Sequence, residues 1–122
     1  MTLVETLSAI RRIAEACGLW STYDLTPAAI NAPAVFPGAV ESMRRQTQSG
    51  ERVAVIPLWI VYKAWTEDAQ RLLYDGVETL WDALEADAAS PVVRVVELTD
   101  VGDVDVSGTT YWGGRLRVEV YV

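Results

Sequence analysis

Histidine does not occur among the 122 residues. Its absence removes the commonest general acid/base, the commonest transition-metal ligand, and both the Ser-His and Cys-His dyads. There is one cysteine, Cys17, so no internal disulfide can form, and a structural zinc site is close to excluded. This usage suits a reducing compartment, or a particle assembled in one. Long apolar runs are missing too: the longest, Val53 to Tyr62, is about half what a membrane helix needs. No basic n-region precedes an apolar core at the start, where Glu5 already sits in an amphipathic segment, so neither a signal peptide nor a membrane partner is expected.

A basic stripe is lacking as well. Ten Lys and Arg stand against seventeen Asp and Glu, for a net charge of −7. The arginines come in small pairs: Arg11-Arg12, Arg44-Arg45, and Arg115 with Arg117. Tight nucleic-acid binding needs many neutralised phosphates, and this pattern does not supply them. An acidic wall would let DNA slide past without holding it.

What is present is a globular composition, 51% apolar and 22% charged, of a length that makes one α+β domain over residues 1–122. Thr2-Leu3-Val4-Glu5 is a capping box, followed by Leu3, Leu7, Ile10, Ala14 and Cys17 at helical spacing and by Gly18 as a stop. Leu19 to Ala32 reads as a connector, and Pro33 to Gly38 as a short extended piece. Residues 39–50, "AVESMRRQTQSG", read as a long flexible loop. Arg52 to Lys63 is apolar on both alternating faces, as in a strand covered on both sides, with a bulge or edge expected at Pro57. Thr66 caps a second helix whose stripe is Ala69, Leu72, Leu73, Gly76, Val77, Leu80, Trp81 and Leu84, and Pro91 stops it. Val92 to Leu98 and Thr110 to Val122 are strands, joined by a turn-rich segment.

The expected order is therefore helix-strand-strand-helix-strand-strand: a mainly antiparallel four-stranded sheet with two helices packed on one face. Two helices shelter only one face of such a sheet. Half of the Val53–Val61 run lies on the other, which predicts apolar surface needing cover from outside the chain, unless the helices take opposite faces.

No catalytic constellation emerges. "DVDVSG", Asp103 to Gly108, starts like a calcium loop, but Gly114 stands where the bidentate Glu belongs; a hairpin turn at Gly108 is the better reading. The carboxylates Asp75, Glu78, Asp82 and Glu85 lie opposite the apolar stripe, as on a solvated helix face. No G-x-S-x-G occurs, and neither Gly38 nor Gly113-Gly114 precedes a helix as a phosphate loop would. Neither an enzyme nor a cofactor or metal is expected. The loop is the best candidate for partner docking, with Met43, Arg44, Arg45 and Gln46 as anchors. Of five tryptophans, Trp59, Trp81 and Trp112 suit a core, while Trp20 and Trp65, near element ends, suit an interface.

Several segments taken together carry a resemblance. An amphipathic first helix leads into "YDLTPAAINAPAVFPG"; "DGVETLWDALEAD" precedes "VVRVVEL"; and the chain closes on "YWGGRLRVEVYV", with Tyr111, Gly113, Gly114, Leu116, Val118, Glu119 and Val120 carrying the marker. In order and spacing these resemble minor tail proteins of long-tailed bacteriophages, in particular the tail-terminator family. The resemblance implies a virion structural protein that forms a homomeric ring, commonly six-fold, at the head-proximal end of the tail tube. Its partners would be further copies of itself, the tail tube protein and the head-side connector, with DNA passing through the lumen unread. Assembly would take place in the host cytoplasm. It also suggests a role for two glycines inside the last strand: Trp112, Gly113 and Gly114, with Trp20 and Trp65, would line the contact between subunits. The intrachain alternative is that the glycines admit a closely packed helix. Another neck component, or a small soluble binding module, would also fit these features.

Overall fold

The computed structural model describes residues 2–46, 48, 50–86 and 92–122. Pro91, the expected stop of the second helix, and Asp87, the end of "DALEAD", lie outside the described residues. The fold is α+β, with two helices and a mixed sheet of six strands.

Helix α1, Leu3–Ala16, begins as its sequence predicts: the Glu5 amide donates to Thr2 Oγ1 (3.1 Å). It closes at Gly18, whose amide donates to the Glu15 carbonyl. Helix α2, Glu67–Ala86, is capped by Thr66, whose Oγ1 accepts from the Ala69 amide (2.9 Å). Leu73, Leu80 and Leu84 of α2 and Leu7, Ile10 and Ala14 of α1 join one core with Ala54, Ile56, Leu58 and Ile60. Both helices thus cover the same face of the sheet.

The sheet differs from the four-stranded expectation. Strand β1, Ser21–Thr22, pairs parallel with β2, Ala34–Pro37. Strand β4, Arg52–Tyr62, is central: on one side it pairs with β2 and with β3, Ser42–Arg45, and on the other with β6, Thr109–Tyr121. Strand β5, Val92–Val106, pairs with β6 and, among the described residues, forms the far edge. All pairs except β1–β2 are antiparallel.

The stretch expected as a loop therefore contains β3. Strands β2 and β3 lie end to end along β4, and Gln46 closes the turn by donating to the Glu51 carbonyl (2.7 Å). Ser42–Arg45 has no apolar alternation, but pairing on an open edge requires only backbone groups, and polar side chains are tolerated where solvent reaches. The irregularity foreseen at Pro57 falls between β2 and β3. There the Pro57 carbonyl accepts from the Gly38 amide (2.8 Å), on the side where proline offers no donor.

The second face of the sheet is where the sequence reading fails most. β4–β6 pairing ends at Tyr62 with Trp112, and residues 103–111 run past it. There Val104 and Val106 pack on Ala34, Phe36 and Val61, with Tyr23, Ile30, Trp59 and Tyr111 around them. The β5–β6 hairpin thus folds over the outer face, and Val53, Val55 and Val61 are all buried within one copy. The chain itself covers Val53, Val55 and Val61; the exposed apolar side chains described on the sheet lie on its edge strands, Met43 on β3 and Val92, Val96 and Val101 on β5.

Candidate interaction site

Gly113 makes that bend possible. A Cβ there would come within 2.8 Å of Val61 Cα and closer still to the Ile60 carbonyl oxygen, both backbone. Opposite it, β5 carries irregularities between Val95 and Glu97 and between Thr99 and Gly102, so the extra residues sharpen the local twist. A Cβ on Gly114 would lie 3.0 Å from Leu98 Cδ1 and 3.7 Å from Leu73 Cδ2. Gly113 admits a neighbouring strand, and Gly114 admits the β5 and α2 side chains.

These contacts correct the expected subunit interface. Trp112, Gly113 and Gly114 are buried inside the chain. Trp20 is buried too: its ring lies 2.7 Å from where a Cβ on Gly76 would sit, and its Nε1–H donates to Tyr62 Oη (3.2 Å). Its place near an element end suits a surface anchor, but Gly76 in the facing helix makes room for the ring inside. Only Trp65 remains at the surface, 56% exposed, donating from Nε1 to Gln70 Oε1 (3.1 Å).

The docking candidates behave differently. Met43, Arg44, Arg45 and Gln46 are all exposed, on β3 and at the start of its turn. Register places Met43 opposite Ala54 and Arg45 opposite Arg52, on the helix side of the sheet; Ser42 and Arg44 face the other way. Three arginines, Arg44, Arg45 and Arg52, gather at this end of the sheet, and none forms an ion pair among the described residues.

Sequence reading missed a charge network on the outer face. Glu41 forms ion pairs with Arg115 (3.2 Å) and Arg117 (3.0 Å), accepting a hydrogen bond from Arg117 Nε, while Arg115 also meets Asp100 (2.8 Å) and Arg117 meets Glu97 (2.6 Å). The Arg115 guanidinium carbon stands 5.8 Å from the centre of the Trp59 ring, within cation–π range. The hydrogen bond to Glu97 holds the Arg117 guanidinium even further above its ordinary range, partly offset by desolvation. The network ties the approach to β3 to β5 and β6. Its signal in the sequence was the Arg-x-Arg alternation of residues 115 and 117 opposite Glu97-x-Thr99, visible only once the strands are in register.

Beside it, Phe36, Trp59, Pro27 and the hairpin from Asp103 to Ser107 enclose an open cleft of about 410 Å³. Asp103 to Val106 belongs to β5, and Ser107 and Gly108, both with positive φ, form the two-residue turn. The hairpin reading of "DVDVSG" holds. Among the described residues, no group of three or more potential metal ligands converges, and no helix is long and apolar enough to cross a membrane.

No protein-family model matches the chain, and no curated protein sequence matches it significantly.

Proposed function

We propose that this chain is a tail terminator of a long-tailed bacteriophage: a non-enzymatic virion protein forming a homomeric ring at the head-proximal end of the tail tube. The ring, six-fold in the commonest form of that family, stops tube growth and meets the head-side connector. DNA passes through its lumen without being read.

One observation carries the proposal beyond the sequence resemblance. The four residues expected to dock a partner lie together, exposed, three on the edge strand β3 and Gln46 directly after it. An edge strand with unpaired outer groups is a surface that can meet another protein. The acidic outer face of α2, with Asp75, Glu78 and Asp82 exposed, suits a wall that repels phosphate. Sheltering of apolar sheet by neighbouring copies is no longer part of the reading. A ring of this protein would be held by edges, ends and charges.

The decisive experiment mixes the purified chain with tail tubes and images them by negative stain, alongside native mass measurement of the chain alone. Hollow rings, free or capping tubes, are expected. A monomer that ignores tubes at every concentration would exclude the proposal. Rings that bind only the connector would assign the chain to another neck position, such as head closure. A second reading, a small binding module, is favoured by the self-covered outer face and by the aromatic cleft at Trp59 and Phe36.

A further inference from the structure

Two exposed patches carry charge of opposite sign with no ion-pair partner among the described residues. Arg45 and Arg52 are direct cross-strand partners, so two guanidinium groups share one face at the β3–β4 turn. Like charges placed directly opposite are unfavourable within a sheet. Neither arginine forms an ion pair among the described residues. Glu5 lines the hollow that Arg52 and Met43 share, but its carboxylate accepts from Thr2 Oγ1 (3.0 Å) and forms no ion pair among the described residues.

The β5–β6 hairpin is the mirror case. Asp103 and Asp105, two residues apart on β5, are both exposed and project from one face, about 7 Å apart along the strand. Their cross-strand partners are Trp112 and Thr110, and no basic group forms an ion pair with either among the described residues. Met43 opposite Ala54 places Arg45 and Arg52 on the helix side. Beyond the end of β4 the hairpin that carries Asp103 and Asp105 folds over the outer face, so the aspartate pair lies beside Phe36 and Trp59, apart from the arginine pair at the β3–β4 turn.

We propose that the arginine pair of one copy, Arg45 and Arg52, docks on the aspartate pair of the next, Asp103 and Asp105, head to tail. Two different patches of one chain that meet between copies make a heterologous contact, the kind that closes into a ring when the rotation permits. Each pair relieves in the neighbour a repulsion it cannot relieve in its own chain. This rests on the ring reading and names the contact that would hold the ring. It also gives the exposed arm a sister copy as its partner, in place of tube or connector.

The test uses the full chain with two charge reversals, R45E/R52E and D103K/D105K, and a variant carrying all four changes. Sedimentation velocity and native mass spectrometry report association at low and high salt, with and without tail tubes. Circular dichroism checks that each variant folds, which is expected because all four side chains are exposed. Wild type should associate less as salt rises, and each reversal should weaken association by about tenfold or more. The fourfold variant, and an equal mixture of the two reversed proteins, should restore it.

Reversed variants that associate as well as wild type would overturn this contact and leave the ring reading standing. Loss on reversing the arginines but not the aspartates would overturn it too, because the arm would then face another partner; binding of a short DNA duplex by the arm alone would identify that partner as nucleic acid. A wild-type chain that stays monomeric with tubes present would remove the ring reading, and this contact with it.

Discussion

Gly113 lies directly against the Ile60 carbonyl, so close that any side chain at this position would enter the backbone of β4. The contact explains why a strand of apolar and charged alternation is interrupted by glycine. It lets the β5–β6 hairpin turn across the outer face, where Val104 and Val106 complete a second core. The closest strand approach at Gly113 lies inside one chain.

Replacing Gly113 with Val should therefore prevent normal folding of the single chain before any question of assembly arises. Even Gly113→Ala should lower stability by at least about 3 kcal/mol, since rigid backbone atoms must move to admit the Cβ. Urea denaturation of the monomer measures this. An unchanged midpoint would mean that the hairpin does not hold the bend described.

Tyr62 and Trp20 form the hydrogen bond that fastens the connector to the core. Tyr62→Phe leaves the Trp20 Nε1–H buried without its acceptor and should cost about 1–3 kcal/mol. Burial, the larger influence, pushes the Tyr62 hydroxyl above its ordinary value near 10, and its bond with Trp20 works weakly the other way. The folded state therefore holds this proton more tightly than the unfolded chain. Its contribution is complete below the ordinary tyrosine range and is lost as pH climbs through the raised folded value. Alkaline titration of stability should show a fall that is blunted in Tyr62→Phe.

Glu41 is shared by Arg115 and Arg117, so removing it leaves two guanidinium groups side by side on the outer face. Glu41→Ala should destabilise the chain at low ionic strength, and the deficit should shrink as salt screens the two arginines. Denaturation midpoints at two salt concentrations check this. A deficit that does not change with salt would mean that Glu41 acts through packing.

The turn of the curled hairpin offers a stabilising change. Ser107 and Gly108 both occupy positive φ, at 50° and 85°. Asparagine tolerates the first position better than serine, so Ser107→Asn should raise stability by about 0.5 kcal/mol. Gly108→Ala should lower it by about 1 kcal/mol. Thermal melting of the two variants gives the comparison.

Local physics was legible from the residues alone. Thr2 and Thr66 announce their helices because a hydroxyl in that position can serve an orphan amide, wherever the helix later packs. The apolar stripe of α2 (except Leu72, which is exposed), the doubly buried β4 and the Ser107-Gly108 turn follow from spacing and from backbone preference in the same way. Tertiary structure decided what depends on partners far along the chain. Ser42–Arg45 became a strand because β4 offered it an edge, and nothing in its own composition asked for one. Trp20 went inside because Gly76 left a space, and the outer face closed because the hairpin bent at Gly113. Helix caps and turns are satisfied within a few residues, whereas strand pairing and face closure are set by chain segments that sequence proximity does not bring together.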